Sequence, residues 1–177
     1  VTRSRLLAVI AVALLAVFGV YWFAVRAGSA DPQVMVPKLA ATIGEGDEAV
    51  GVAGNGALVR WLPLPEEPPL PRLSLDELPK GGRVQGPALE QVRVLAAVPD
   101  QLRPYVAGSF YGESGVDVEL TTGIEVRFGD DTKARQKWHA AAAILADPSV
   151  TALDYVNVTA PGRPVFEGTE HELPPAP

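Results

Sequence analysis

The 177-residue chain has no cysteine and only two histidines, His139 and His171. Without cysteine there is no disulfide scaffold, thiolate metal site, Fe–S cluster or thiol nucleophile. Two isolated histidines leave little for an imidazole metal centre or a histidine-based catalytic site. His139 lies beside the apolar stripe of a helical segment, and His171 lies in a proline-rich tail with no second histidine near it. No G-x-x-x-x-G-K-S/T loop is present, and Gly54-Asn55-Gly56 is a turn rather than a dinucleotide fingerprint. Gly108-Ser109-Phe110-Tyr111-Gly112 has the wrong spacing for a nucleophile elbow. Carboxylate pairs occur at Glu66-Glu67, Asp76-Glu77 and Asp130-Asp131, in contexts that read as solvated loops and caps. A non-enzyme without metal or cofactor is the expectation, with no small-molecule substrate. Positive charge is also scarce: beyond Arg26, 12 basic residues face 21 acidic ones. An acidic body of this kind excludes a phosphate-gripping nucleic-acid binder.

One long uncharged run stands out. Residues 6–25, LLAVIAVALLAVFGVYWFAV, carry no charge. As a helix they span about 30 Å, the thickness of a bilayer's hydrocarbon core. Tyr21 and Trp22 lie near its end, where amphipathic rings favour the headgroup layer. Arg3, Arg5 and the terminal amine precede it, which predicts a cytoplasmic tail at 1–5 and an extracytoplasmic body. A signal peptide cut after Ala30 is the rival reading, but signal cores run about 7–15 residues. The expectation is an uncleaved single-pass anchor.

The remainder reads as a connector at 26–47, a folded region at 48–166, and a disordered, acidic, proline-rich tail at 167–177. Val50 and Val52 alternate before Gly54-Asn55-Gly56, and Leu58 to Leu62 gives a second apolar run, a hairpin pattern. Residues 63–87 hold seven prolines, which predict extended chain on a surface and forbid a helix or inner strand. Pro87 suits the first position of a helix ending near Val98, with Leu89, Val92 and Ala96 on one face. A short turn at 100–103 leads into a strand at 105–110. Two alternating segments then follow, Val116 to Leu120 and Ile124 to Phe128. A three-residue loop, Thr121-Thr122-Gly123, sets Val118 against Val126 and Asp117 against Arg127 on the wet face; a two-residue loop would oppose apolar to charged positions. Asp130 is the expected N-cap of a second helix with the stripe Ala134, Trp138, Ala141 and Leu145, leaving Lys133, Arg135 and Lys137 off it. Trp138 is assigned to the core. Leu153 to Val158 is the expected last strand.

In this order the elements resemble the β-domain of the bacterial division proteins FtsQ/DivIB. The residues carrying the resemblance are Leu70-Pro71-Arg72-Leu73, the helix before Val98-Pro99, the segment from Gly123 to Gly129, Lys137, and the stretch from Tyr155 to Val165. Asn157 and Thr122 stand where the family usually carries aspartate. The family places a POTRA domain between anchor and β-domain; here residues 26–47 are too few to bury a core of their own. The resemblance implies an α+β fold: a transmembrane helix followed by a mixed α/β domain with a mainly antiparallel sheet.

It also implies a non-catalytic septation scaffold in the bacterial cell membrane, at the division site, holding FtsB/FtsL-type partners. Tyr155, Val156, Asn157, Val158 and Thr159 are then the exposed edge that receives a partner strand. Tyr155 supplies aromatic contact area, Arg163 a salt link to an acidic partner, and Val165 and Phe166 extend the surface. In the bland alternative, Val156 and Val158 belong to the core. The competing function is a membrane-tethered module binding a peptide or wall component, which predicts a concave pocket beside the proline-rich segment. A secreted enzyme is the third reading; the long apolar run and the missing catalytic groups argue against it.

Overall fold

The computed structural model describes residues 37–75 and 79–175. The expected anchor at 6–25 and tail at 1–5 lie outside the described residues, and no described helix is long and apolar enough to cross a membrane. The described residues form a mixed α/β unit with nine strands in one mainly antiparallel sheet. In chain order the elements are β1 (Leu39–Ile43), β2 (Val50–Ala53), β3 (Leu58–Val59), β4 (Arg72–Leu73), α1 (Pro87–Ala96), β5 (Val106–Gly112), β6 (Gly115–Leu120), β7 (Glu125–Gly129), α2 (Ala134–Leu145), β8 (Ala152–Asn157) and β9 (Val165–Glu172). Across the sheet they run β3-β2-β1-β4-β5-β6-β7-β8-β9.

The hairpins follow the alternation of the sequence. Gly51 pairs with Val59 and Val52 with Leu58 around the Gly54-Asn55-Gly56 turn, where Asn55 Oδ1 accepts from the Ala57 N–H at 3.0 Å. Asp117 pairs with Arg127 and Val118 with Val126, the register that the three-residue loop requires. Gly123 closes that loop at φ 92°, a conformation that costs a residue with a Cβ dearly. At the far end of the hairpin a bulge sets Val116 opposite Gly129.

Three expectations about strands need correction. The connector contains β1, which pairs with both β2 and β4. The proline-rich segment supplies an inner strand: β4 lies between β1 and β5, parallel to both. Arg72 and Leu73 fall in a proline-free gap, so they keep their N–H donors, while Pro71 contributes only its carbonyl, accepting from Thr42 N–H at 2.8 Å. A two-residue strand evades the exclusion that holds for longer proline-rich runs. Finally, the tail folds back as β9, so β8 is not the last strand.

Both helices share one core. α1 packs on β1, β5 and β6, α2 on β7 and β8, and the helices touch each other. Val118, Val126, Val156, Phe128 and Trp138 are fully buried there. Trp138 packs its ring against Phe128 at 4.8 Å between centroids and donates its indole N–H to Val94 O at 2.9 Å, tying α2 to α1. The buried side of α1 is Gln91, Val92, Val94 and Leu95, with Leu89 packed against the core; of the expected face, Ala96 alone lies in solvent. Gln91 belongs inside because Ser109 of β5 donates a hydrogen bond to its Oε1 at 3.0 Å.

α2 begins later than Asp130 suggests. Asp130 Oδ1 accepts from Thr132 N–H and Oγ1 in a local turn, and Lys133, at φ 53°, precedes the first helical residue. Lys137 is buried rather than off the stripe. Its Nζ donates to Phe128 O at 2.8 Å, to Asp130 O at 3.1 Å and to the Asp130 carboxylate. This lysine latches the β7–α2 connection, and its hydrogen bond holds Asp130 below the usual carboxylate range.

Candidate binding edge of the sheet

The two ends of a sheet carry unpaired backbone groups, which proteins cover or use. At the β3 end, the cover is the chain itself. Leu58 N–H donates to Gly82 O and Val84 N–H to Gly56 O, both at 2.9 Å, with Ala57 bridging Arg83. At the other end β9 pairs with β8 on its inner side only, and among the described residues nothing pairs with its outer side. An eight-residue strand offers about 26 Å of backbone.

The pairing of β8 and β9 is local and specific. Asn157 pairs with Val165, Val156 with Phe166, and Tyr155 with Glu167. Beyond Glu167 the register shifts at Gly168, which adopts φ 111°. A Cβ on Gly168 would fall 2.0 Å from Asp154 Cγ. Asp154 fills that space and accepts from the N–H groups of Thr169 (3.1 Å) and Glu170 (2.7 Å). The bulge thus has glycine for its dihedral and aspartate for its freed amides. After it, His171 pairs with Leu153 and Glu172 with Ala152.

These positions redistribute the residues expected to bind a partner. Tyr155, Val156 and Asn157 are not an edge, because β7 pairs with them on one side and β9 on the other. Val156 and Val158 are fully buried core residues. They alternate inward because the helix-covered face of β8 needs apolar side chains, just as the bland alternative holds. Asn157 Oδ1 accepts from Thr159 N–H at 3.0 Å and from its hydroxyl, a turn that ends β8. Arg163 is exposed in the β8–β9 turn, where its N–H donates to Ala160 O at 2.9 Å. Val165 and Phe166 do lie on the outer strand, 59 % and 46 % exposed. The residues missed by sequence reasoning are Glu167 to Glu172. Their glycine and three glutamates hide the strand, and the pairing of Val165-Phe166 with the preceding strand is the only apolar signal.

Behind the edge, the face without helices carries a polar row in register. Glu119, Glu125, Tyr155 and Glu167 lie side by side across four strands, and next to them run Asp117, Arg127, Asn157 and Val165. Arg127 stacks its guanidinium 4.0 Å from the centre of the Tyr155 ring and pairs with Glu125 at 3.3 Å. Tyr155 donates its phenol to Glu167 Oε2 at 3.1 Å. That bond pushes the tyrosine pKa up, and the bond to Glu125 pushes that of Arg127 up. The side-chain contacts therefore run on from β7 to β9.

Asp117 lies opposite Arg127 on the expected face but is covered there, 5 % exposed. Its Oδ2 lies over Gly112, 2.3 Å from where a Cβ would be, and its Oδ1 has no hydrogen-bond partner. Desolvation, helped by the Glu125 charge and opposed by Arg127, pushes its pKa up to about 6.

A concavity lies beside the proline-rich segment. A cleft of about 790 Å³ is bounded by Ser74, Leu75, Pro79 to Gly81, the start of α1, and Phe110 and Tyr111 of β5. Comparison with known proteins adds no relative: no protein-family model, curated protein or solved structure matches the chain.

Proposed function

We propose that the chain is a non-catalytic scaffold of bacterial septum formation, anchored through residues 6–25, that binds an FtsB/FtsL-type partner outside the membrane. The partner adds a strand along the outer side of β9. The observation that carries this reading is the asymmetry of the sheet. Its β3 edge is closed by residues 82–84, whereas the β9 edge is long and free among the described residues and starts with exposed Val165 and Phe166. Strand addition takes its affinity from main-chain hydrogen bonds and its specificity from alternate side chains. The relevant edge is thus one strand further along the chain than Tyr155–Thr159. A fluorescent protein fused to the N-terminus tests the role in dividing cells. A mid-cell band is the expected outcome; an even membrane ring counts against it.

The cleft beside the proline-rich segment favours a second reading, a tethered module that binds a peptide or wall component. In that case, substitution of Tyr111, 48 % exposed at the cleft wall, abolishes binding while substitutions on β9 leave it intact.

A further inference from the structure

The charge of the free edge specifies its occupant. β9 carries Glu167, Glu170 and Glu172 and no lysine or arginine, and Arg163 is the only such residue after Lys137. The three glutamates lie within six residues of one another on the outer strand. Phe166 pairs with buried Val156, which puts it on the helix-covered side. Glu167, paired with Tyr155, takes the opposite side, and beyond the bulge Glu170 and Glu172 flank His171 and lie together. All three glutamates are exposed. The apolar positions sit together at the start of the strand and the negative charges along the rest.

We infer that the strand received by β9 is a basic one, with lysine or arginine at every second position and apolar side chains between them. This rests on the strand-addition reading above and adds the partner's chemistry to it. A strand laid along β9 places its alternate residues within cross-strand distance of Glu167, Glu170 and Glu172, where opposite charges attract and like charges repel. Its other face meets Phe166. A second copy of this chain is disfavoured, because pairing β9 with β9 brings six glutamates together on a two-strand ribbon. The edge therefore selects against its own kind while remaining open to a basic strand, a selection made by repulsion as well as attraction. Arg163 does not reverse the sign, since it lies in the turn before the strand.

The test uses the full chain in lipid nanodiscs and three labelled ten-residue peptides, read by fluorescence anisotropy. The first alternates lysine and valine, the second replaces lysine by glutamate, and the third is the lysine peptide methylated at every backbone amide. The lysine peptide is expected to bind, the glutamate peptide not to bind, and methylation to abolish binding. The triple variant Glu167→Gln, Glu170→Gln, Glu172→Gln is expected to weaken the lysine peptide about tenfold, the scale of three exposed ion pairs. Equal binding of lysine and glutamate peptides, with methylation still abolishing both, overturns the basic-partner inference and leaves strand addition standing. Binding that survives methylation, or no binding by any peptide, overturns strand addition itself. Circular dichroism of the triple variant verifies that β9 is still folded.

Discussion

Replacing Asp117 by asparagine should make the protein more stable at neutral pH, although it removes a charge next to an arginine. In the native state the Asp117 carboxyl is pushed up to about 6 by burial, with Glu125 adding to the effect and Arg127 opposing it. In the unfolded chain it titrates near the ordinary aspartate value of about 3.9. Between these values the native state holds more protons than the unfolded one, so stability falls as pH rises from about 4 to about 6 and is level above. A difference of about two pKa units corresponds to about 3 kcal/mol. Asparagine carries no charge at either pH, so Asp117→Asn should match the wild type near pH 4. At pH 7 it should exceed the wild type by about 1–3 kcal/mol, the lower figure allowing for an amide left as short of hydrogen-bond partners as the carboxyl. The assay is urea unfolding of both proteins in the same detergent at half-unit pH steps from 4 to 8. Taking the difference between the two profiles cancels groups such as Asp130 and Asp147. Their lowered pKa values give stability that is present above about 3.9 and lost on acidification. Parallel profiles, or a variant less stable at pH 7, would show that Asp117 is an ionised partner of Arg127 and would refute the reasoning.

Other perturbations test the frame around the edge. Lys137→Met removes a buried donor from Phe128 O, Asp130 O and the Asp130 carboxylate, and should cost about 2–4 kcal/mol by urea unfolding. Gly168→Ala forces a Cβ into Asp154 at a positive φ and should loosen the β8–β9 pair, seen as faster amide exchange of Thr169 and Glu170 while β6 and β7 stay protected. Val156→Pro should destabilise the whole unit rather than abolish partner binding alone, because the residue is fully buried between two strands; a cooperative unfolding curve with an unchanged midpoint would contradict this.

The parts of this fold legible in the sequence are those fixed by local rules. The 116–128 hairpin follows from its alternation and from a loop length that only one register tolerates. Pro87 marks the start of α1, and the spacing of Ala134, Trp138 and Ala141 marks the core side of α2. What was not legible depends on distant partners. β4 is a strand only because β1 and β5 flank it, and two residues make no periodic pattern. Lys137 and Gln91 look like surface residues until the carbonyls and hydroxyl that satisfy them are brought near. Asp117 belongs to a polar row and yet is covered. β9 was hidden most deeply, since a strand with three glutamates and a bulge at Gly168 resembles solvated chain. Its neighbour β8, with two inward valines, took its place as the expected edge.

Site-specific photo-crosslinking in dividing cells tests the central claim most directly. A crosslinking amino acid is placed in turn at Phe166 and Glu170 on β9, at Trp61 after the covered β3 edge, and at Tyr111 in the cleft. The account predicts adducts with an FtsB/FtsL-type protein from the two β9 positions and none from Trp61 or Tyr111. Adducts with that protein from Trp61 or Tyr111, and none from β9, would contradict it.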